Sequence, residues 1–427
     1  MSNQTTTQES GPMDVETFRL EAREWIRANL EPRAHAPLAG RVERDAVTPE
    51  EVAEARKLQR KLFDGGFAGI SYPAEYGGRG LTTLHERAFR EEALNYVTPD
   101  FGAAGGVTFG AIGRSLLAHC TPEFLEQHIP KILRGEELWC QFYSEPEAGS
   151  DLAGIRTRAV RDGDRWIISG SKIWSSGAYL ADWAMCLART DWEAPKHRGL
   201  TWFALPTDAK GVEIRQIRQI NGNAEFCEEF LDEVEVTDAD IIGEVNKGWA
   251  VTQTMLVYER GAGEMGATTL EPRRLAPDLV ALARKVGRAE DPAARQAIAK
   301  AHINDYAQYH LGQRIAERLR RSATPDPAVA AYGKLASGVF APIRARLAME
   351  VAGPAALAWT AGDEDAGRPA LNYLNGRTTS IAAGTNEMQR NGIGERVLGL
   401  PREPSFDTNK PFNEVLANAR NWQSKVG

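Results

Sequence analysis

The sequence predicts an α+β multidomain protein in which helices come first, strands follow, and helices return. Three observations lead there. In the first third, Phe18, Ala22, Trp25, Ile26 and Leu30 recur at helix spacing. Past residue 138 the pattern turns strand-like, and no helical pattern interrupts the strand-like runs. From Trp249 helical spacing resumes. At 427 residues the chain is long for one core, so two or three domains are expected. The division read from these changes is a disordered tail at 1–12, a helical domain at 13–137, a β domain at 138–245, a second helical domain at 246–401 and a tail at 402–427.

Local signals justify the elements in turn. Thr48-Pro49-Glu50-Glu51 reads as a helix start, with a threonine cap, proline in the first turn and glutamate at the third position. That helix should run to about Phe63, stopped by Gly65-Gly66. Thr121-Pro122 starts another in the same way. Asp162-Gly163 between two strand-like runs, within Arg158–Ser169, signals a hairpin. Thr201–Leu205, Val212–Ile217 and Phe226–Val236 read as further strands. Asp291-Pro292 caps a helix through Ile298 and Ile303, and the polar run Ser322–Pro327 separates it from the next, about Ala328–Val351. A last helix is expected from near Thr385 to near Gly399, followed by a polar appendage.

Composition excludes several functions. Basic side chains number 51 and acidic ones 58, a net charge of −7 without a basic stripe, which argues against nucleic-acid binding. Cys120, Cys140, Cys186 and Cys227 are scattered, with neither a CxxC pair nor zinc spacing, so no metal is expected. The start, MSNQTTTQESGP, lacks the apolar core of a signal peptide, and the run Phe101–Gly113 is too short to span a bilayer. A soluble, reduced, cytoplasmic protein is the expectation.

Several motifs carry chemistry. Gly261-Ala262-Gly263-Glu264-Met265-Gly266 fits GxGxxG, yet Tyr258-Glu259-Arg260 is a poor end for the strand that a dinucleotide loop needs. A closely packed small-residue helix explains it as well. Ser144–Asp151 is either a capped turn or a loop whose amides and hydroxyls meet a pyrophosphate. Trp174, before Ser175-Ser176-Gly177, either packs in a core or lies against a large planar cofactor. Glu259 sits on an apolar helix-like stretch, where a partly buried carboxylate suits a general base; a structural ion pair is the alternative. Gly384-Thr385-Asn386-Glu387 is a helix cap, or a helix start aimed at a phosphate.

The order of these pieces resembles the acyl-CoA dehydrogenase family over nearly the whole chain. The matching blocks are Gly69–Pro73 with Glu75–Gly80, then Tyr143–Asp151, then Lys172-Ile173-Trp174 with Ser176-Gly177, and finally Ala383–Arg390. The resemblance implies an N-terminal α-helical domain, a central β-barrel and a C-terminal four-helix bundle. It implies FAD between the barrel and the bundle, with a neighbouring subunit completing the site. By resemblance, Tyr143 and Ser144 meet the flavin pyrimidine, and Gly149 and Ser150 the pyrophosphate. Trp174 covers a ring face and Ser176 approaches N5. Gly384, Thr385 and Glu387 contribute near the FAD or its dimer-mate. The implied reaction removes an α-proton from an acyl-CoA thioester while the β-hydrogen leaves as hydride. Electrons then pass to an electron-transferring flavoprotein. A homodimer or homotetramer is implied, or a heteromer.

Three departures stand out. The usual catalytic glutamate position, before the Gly-Thr of the last motif, is Ala383. A minority of the family, including isovaleryl and long-chain types, carries the base in a Leu-x-x-Glu-Arg context. Leu256 to Arg260 matches it, so the resemblance points to Glu259 as base and Arg260 on the substrate side. The usual Arg-x-x-Phe-Gly and Gln-x-x-Gly-Gly motifs are replaced by Ala283–Arg288 and Glu350–Pro354. This resembles a bacterial subgroup, some of whose members act as heteromers on steroid side chains or other bulky acyl-CoAs. Rival readings are a subunit with a partial flavin site, a flavin oxidase or monooxygenase on the same fold, and a nicotinamide dehydrogenase.

Overall fold

The computed structural model describes residues 13–33, 47–259, 275–321, 327–360, 364–402, 404–405 and 407–426. The N-terminal part is helical: α1 (Val15–Asn29), α2 (Pro49–Asp64), α3 (Thr83–Ala93), α4 (Gly102–Gly105), α5 (Gly113–His119) and α6 (Pro122–Arg134). Capping explains the starts. Asp14 accepts from the Glu16 and Thr17 amides at α1, and Thr48 closes a capping box with Glu51 at α2. Thr121 caps α6 as its sequence implied. Phe18, Ala22, Ile26, Leu62 and Phe89 form one core of this part.

The strands are β1 (Trp139–Phe142), β2 (Arg158–Asp162), β3 (Arg165–Ser176), β4 (Trp183–Arg189), β5 (Leu200–Pro206), β6 (Val212–Ile217), β7 (Phe226–Thr237) and β8 (Ile241–Ile242). The expected hairpin is β2–β3, turning at Gly163 with φ 63°. All eight join one sheet in the order β6-β7-β3-β2-β4-β5-β8, with β1 parallel to β4. Phe142, Trp166, Ile168, Cys186, Phe203, Cys227 and Val234 come from five strands yet form one buried cluster. The sheet therefore curls around its own core as the barrel expectation required. Its hydrogen-bonded path has β6 and β8 as its ends.

The outer face of the sheet is buried as well. Trp139, Met185, Leu187, Trp202 and Ala204 pack on Ile112, Leu116, Phe124 and Ile129 of the N-terminal helices and on Val251 and Met255 of α7 (Gly248–Glu259). Burial on both faces explains why β4 and β5 read as apolar runs rather than as alternations.

Beyond α7 come α8 (Pro277–Lys285), α9 (Pro292–Arg321), α10 (Pro327–Ala352), α11 (Glu364–Asn375), α12 (Thr378–Ile381) and α13 (Asn386–Arg396). Leu279, Ala283, Ala297, Ile298, Ala301, Leu347 and Val351 make the core of α8, α9 and α10. The polar appendage contains a helix that sequence reading missed, α14 (Phe412–Val426). The expected tail at 1–12, the loop residues 322–326 and the GxGxxG glycines at 261, 263 and 266 lie outside the described residues. What precedes those glycines is helix α7, so the strand required by a dinucleotide loop is a helix instead.

Candidate active site

The Tyr143–Asp151 loop leaves the end of β1 and is bound directly to β3. Lys172 Nζ donates to the Tyr143 carbonyl at 3.1 Å, and the Ile173 amide donates to the Ser144 carbonyl at 3.0 Å. Glu145 fixes the loop from within. Its carboxylate accepts from the Arg156 and Thr157 amides at 2.6 and 2.8 Å and from Lys172 Nζ at 3.0 Å. Both side chains are buried. Burial alone would raise the Glu145 carboxyl, but the Lys172 ammonium and the two amides outweigh it and hold it below its ordinary range. Gly149 and Ser150 are left exposed at the tip. Sequence reading had quoted Glu145 and Lys172 within motifs without giving either a role. Their opposite charges, 27 residues apart, carry no local signal of a pair.

Of the two readings the sequence allowed for Trp174, the structure rules out the core one. The β3–β7 register shifts between Ile173 and Ser175, and at that bulge Trp174 takes a left-handed φ of 69°. Its side chain stays 55% exposed, edge-on to Phe226 at 6.0 Å. A non-glycine residue at such a φ costs about 1–3 kcal/mol, and such outliers cluster at functional sites. Ser175 turns inward instead and donates to Glu229 Oε2 at 2.8 Å. Glu229 is fully buried, and burial pushes its carboxyl up to about 7. Ser176 is half-buried, and Gly177 follows at φ 67°, where a Cβ would come within 2.7 Å of the Ala104 amide. Only glycine lets β3 leave past α4.

Tyr143 links this platform to α7. Its ring stacks on Trp202 at 5.1 Å, and Trp202 Nε1 donates to the Gly248 carbonyl and Thr252 Oγ1 at 3.1 and 3.0 Å. Gly248, Thr252 and Met255 are buried on the face of α7 that meets the sheet. Glu259 lies one turn beyond Met255 on that face. It is exposed rather than partly buried, although Met255 one turn earlier is fully buried. Arg260, expected on the substrate side, lies outside the described residues.

The last motif sits in the helical part. Ala383 and Gly384 both have left-handed φ, 53° and 89°. Thr385 then caps α13 through the Met388 amide, which is the plain cap reading. Buried Gln389 donates to the Gly384 carbonyl at 3.1 Å and steadies the turn. Glu387 is exposed and pairs with Arg390 at 3.0 Å. Asn386 Nδ2 donates to the Gly338 carbonyl of α10, while its buried Oδ1 has no partner. The structure thus gathers Tyr143, Ser144, Trp174 and Ser176 around β1 and β3, and places Gly384, Thr385 and Glu387 against α10.

The residues present suit a flat, polar-edged cofactor. Gln141, two residues from each of Trp139 and Tyr143, shares their outer face of the sheet, and its buried Nε2 donor has no partner. An unpaired buried donor costs about 1–3 kcal/mol unless a ligand meets it. Beside it the structure offers an exposed indole and the hydroxyl-bearing residues Ser144 and Ser176. The two segments that replace the usual adenine motifs are bound to each other, since Arg288 Nη1 donates to the Glu350 and Val351 carbonyls at 2.6 and 3.1 Å.

Comparison with known proteins agrees with this geometry. The models of the acyl-CoA dehydrogenase N-terminal, middle and C-terminal domains match residues 13–136, 140–234 and 246–398. The chain belongs to the acyl-CoA dehydrogenase family. Its members are FAD-dependent oxidoreductases. Acyl-CoA dehydrogenase IpdE1 of Mycobacterium tuberculosis is 38% identical over 395 residues, 91% of this chain and 99% of that protein. Among solved structures, the Tcur3481–Tcur3483 steroid ACAD is similar with a TM-score of 0.72 at 28% identity, covering 92% of this chain and 99% of that one. The ChsE4–ChsE5 complex from Mycobacterium tuberculosis is similar with a TM-score of 0.69 at 26% identity, over 93% and 100% of the two chains. Among the described residues no helix is long and apolar enough to cross a membrane, and no cluster of His, Cys, Asp or Glu could hold a metal ion.

Proposed function

We propose that this chain oxidises the Cα–Cβ bond of a bulky, ring-bearing acyl-CoA, with Glu259 as the base. The observation that carries the assignment is the placement of Glu259. It continues the face of α7 bound through Thr252 to Trp202, on which the Tyr143 ring is stacked. Ala383 has no proton acceptor where most of the family carries its base. Glu259 takes the α-proton from the thioester. FAD, when bound, supplies the acceptor for the β-hydride. When FAD binds, Tyr143 and Ser144 would hold its pyrimidine edge, Ser150 would meet the pyrophosphate with Gly149 allowing close approach, Trp174 would cover a ring face and Ser176 would lie toward N5. Gly384 and Thr385, which shape the turn before α13, and Glu387 at its start would contribute near the FAD of this chain or of a neighbouring subunit. Arg260 follows the base in sequence and is proposed on the substrate side. An electron-transferring flavoprotein receives the electrons. The ring-bearing substrate is supported by similarity to the steroid ACAD and to cyclohexane-1-carbonyl-CoA dehydrogenase of Geobacter metallireducens, 33% identical over 269 residues.

The test is Glu259→Gln in the FAD-loaded protein, titrated anaerobically with acyl-CoAs of differing bulk. The variant should keep its flavin absorption and bleach at least about 100-fold more slowly, the usual scale of a lost general base. Bleaching at the parent rate would remove Glu259 from the role. Loss of the flavin would make it a structural residue.

A second reading is favoured by the Arg288 bonds to Glu350 and Val351, which engage the region where the family's adenine motifs would lie. In it the chain completes its flavin site only with a different subunit, and the protein purified alone would be colourless.

A further inference from the structure

The segment after Leu400 lies beyond the family match, which ends at residue 398. It returns to the β-sheet and is bound there by several independent contacts. Pro411 bridges Pro195, the Phe412 amide donates to the Ala194 carbonyl at 3.1 Å, and the Asn413 amide donates to the Trp192 carbonyl at 3.1 Å. The Phe412 side chain is buried, 5.7 Å from the Trp192 ring. Its ring meets the Arg189 guanidinium at 3.7 Å.

Arg189 is fully buried at the end of β4. Its guanidinium donates to the Ala153 carbonyl at 2.6 Å, the Ile155 carbonyl at 3.1 Å and the Lys196 carbonyl at 3.3 Å. Ala153 and Ile155 are the residues just after the exposed Gly149–Asp151 tip. Lys196 reaches the tip itself, with Nζ 3.0 and 3.2 Å from the two Asp151 carboxylate oxygens. The same ammonium donates to Asp407 Oδ2 at 2.7 Å. Burial opposes charge on Lys196, but the Asp407 and Asp151 carboxylates outweigh it and hold the ammonium above its ordinary value.

We propose that the C-terminal segment from Asp407 to Asn413 is a clamp on the phosphate-facing loop, and that Lys196 is a positioning residue within it. This rests on the reading of Ser150 as a pyrophosphate contact. The physical case has two parts. The loop is anchored at its start by the Glu145–Lys172 pair, but its far side hangs on Arg189 and Lys196. Both of those cations are completed by tail residues, Arg189 by the Phe412 ring and Lys196 by Asp407. The second part is charge. Asp151 places a negative group beside the residue that would meet an anion, and Lys196 neutralises it. Without Lys196 the tip would repel a phosphate.

The experiment uses the full chain, stripped of FAD for one measurement and titrated with FAD in the other. Hydrogen exchange of residues 147–157 is compared among the parent, Phe412→Ala and Lys196→Met. Both variants should speed exchange in that loop about tenfold while leaving α1 to α3 unchanged. Lys196→Met should also bind FAD about tenfold more weakly at low salt, the gap narrowing as salt screens Asp151, and Lys196→Arg should restore binding. Unchanged loop exchange in Phe412→Ala overturns the clamp. Faster exchange with unaltered FAD affinity leaves the clamp standing and overturns the reading of Ser150. Should Phe412→Ala fail to fold, Asp407→Asn on the partly exposed side of the same contact must still speed exchange in the loop, and its failure to do so refutes the proposal.

Discussion

Replacing Lys172 with methionine should cost this protein more than a typical surface ion pair, and the structure says why. The Lys172 side chain is 0% exposed and gives its ammonium to Glu145 at 3.0 Å and to the Tyr143 carbonyl at 3.1 Å. Removing it leaves the Glu145 carboxylate buried with only the Arg156 and Thr157 amides. Breaking a buried pair on one side costs about 3–5 kcal/mol. The two charge-assisted amide bonds survive, so the lower end, about 3 kcal/mol, is expected at neutral pH. The pH dependence has a definite sign. In the parent the Glu145 carboxyl is held below its ordinary value, so its contribution is present above that range and lost as pH falls through the lowered value. In the variant, burial acts without the ammonium and the carboxyl rises, so its protonation relieves the penalty on the acid side. Urea unfolding of parent and variant at pH 5 and pH 7.5 measures this. The gap should be larger at pH 7.5, and Lys172→Met with Glu145→Gln together should lose less than the two single losses added. A gap below about 1 kcal/mol at pH 7.5, the scale of an exposed pair, or one equal at both pH values, would refute the argument that this pair holds the loop.

Two other outcomes follow from the same platform. Burial raises the Glu229 carboxyl to about 7, so the folded state is favoured while it is protonated and loses stability as pH rises toward and through 7. Glu229→Gln should match the parent near pH 5 and exceed it at pH 8 by at most about 3 kcal/mol, read by urea unfolding at both values; an equal gap contradicts the assignment. Trp174→Ala should leave the urea midpoint nearly unmoved, because the indole is 55% exposed and alanine keeps the same left-handed backbone strain, yet weaken FAD binding about tenfold. A loss of about 3–5 kcal/mol in stability with FAD affinity intact would mean that the indole is core after all.

Much of the fold was legible because its signals are local. Thr48, Glu51 and Thr121 start helices by bonds that span a few residues, and Asp162-Gly163 turns a hairpin with its own backbone. The Lys172-Ile173-Trp174 motif was legible as a family match too, though its mechanics were not. Trp174 left a core and a cofactor reading open, since its neighbours alternate as strand residues do. A bulge against β7, invisible in β3 alone, turns it outward. Glu259 read as partly buried from its apolar neighbours, whereas in the folded chain it is exposed one turn beyond buried Met255. The C-terminal segment read as polar, and one buried ring, Phe412, joins it to a guanidinium more than 200 residues earlier.

The sequence by itself therefore determined the order of helices and strands, the caps and turns between them, and the family. Each of these rests on residues close together along the chain, or on motif order. Only the tertiary structure decided that Lys172 buries its charge against Glu145, that burial lifts the Glu229 carboxyl to about 7 behind the Trp174 bulge, and that the tail completes the cations holding the Ser150 loop. Those outcomes depend on burial and on pairing across long separations. A charged or aromatic side chain has one meaning in water and another once a distant strand has removed the water around it.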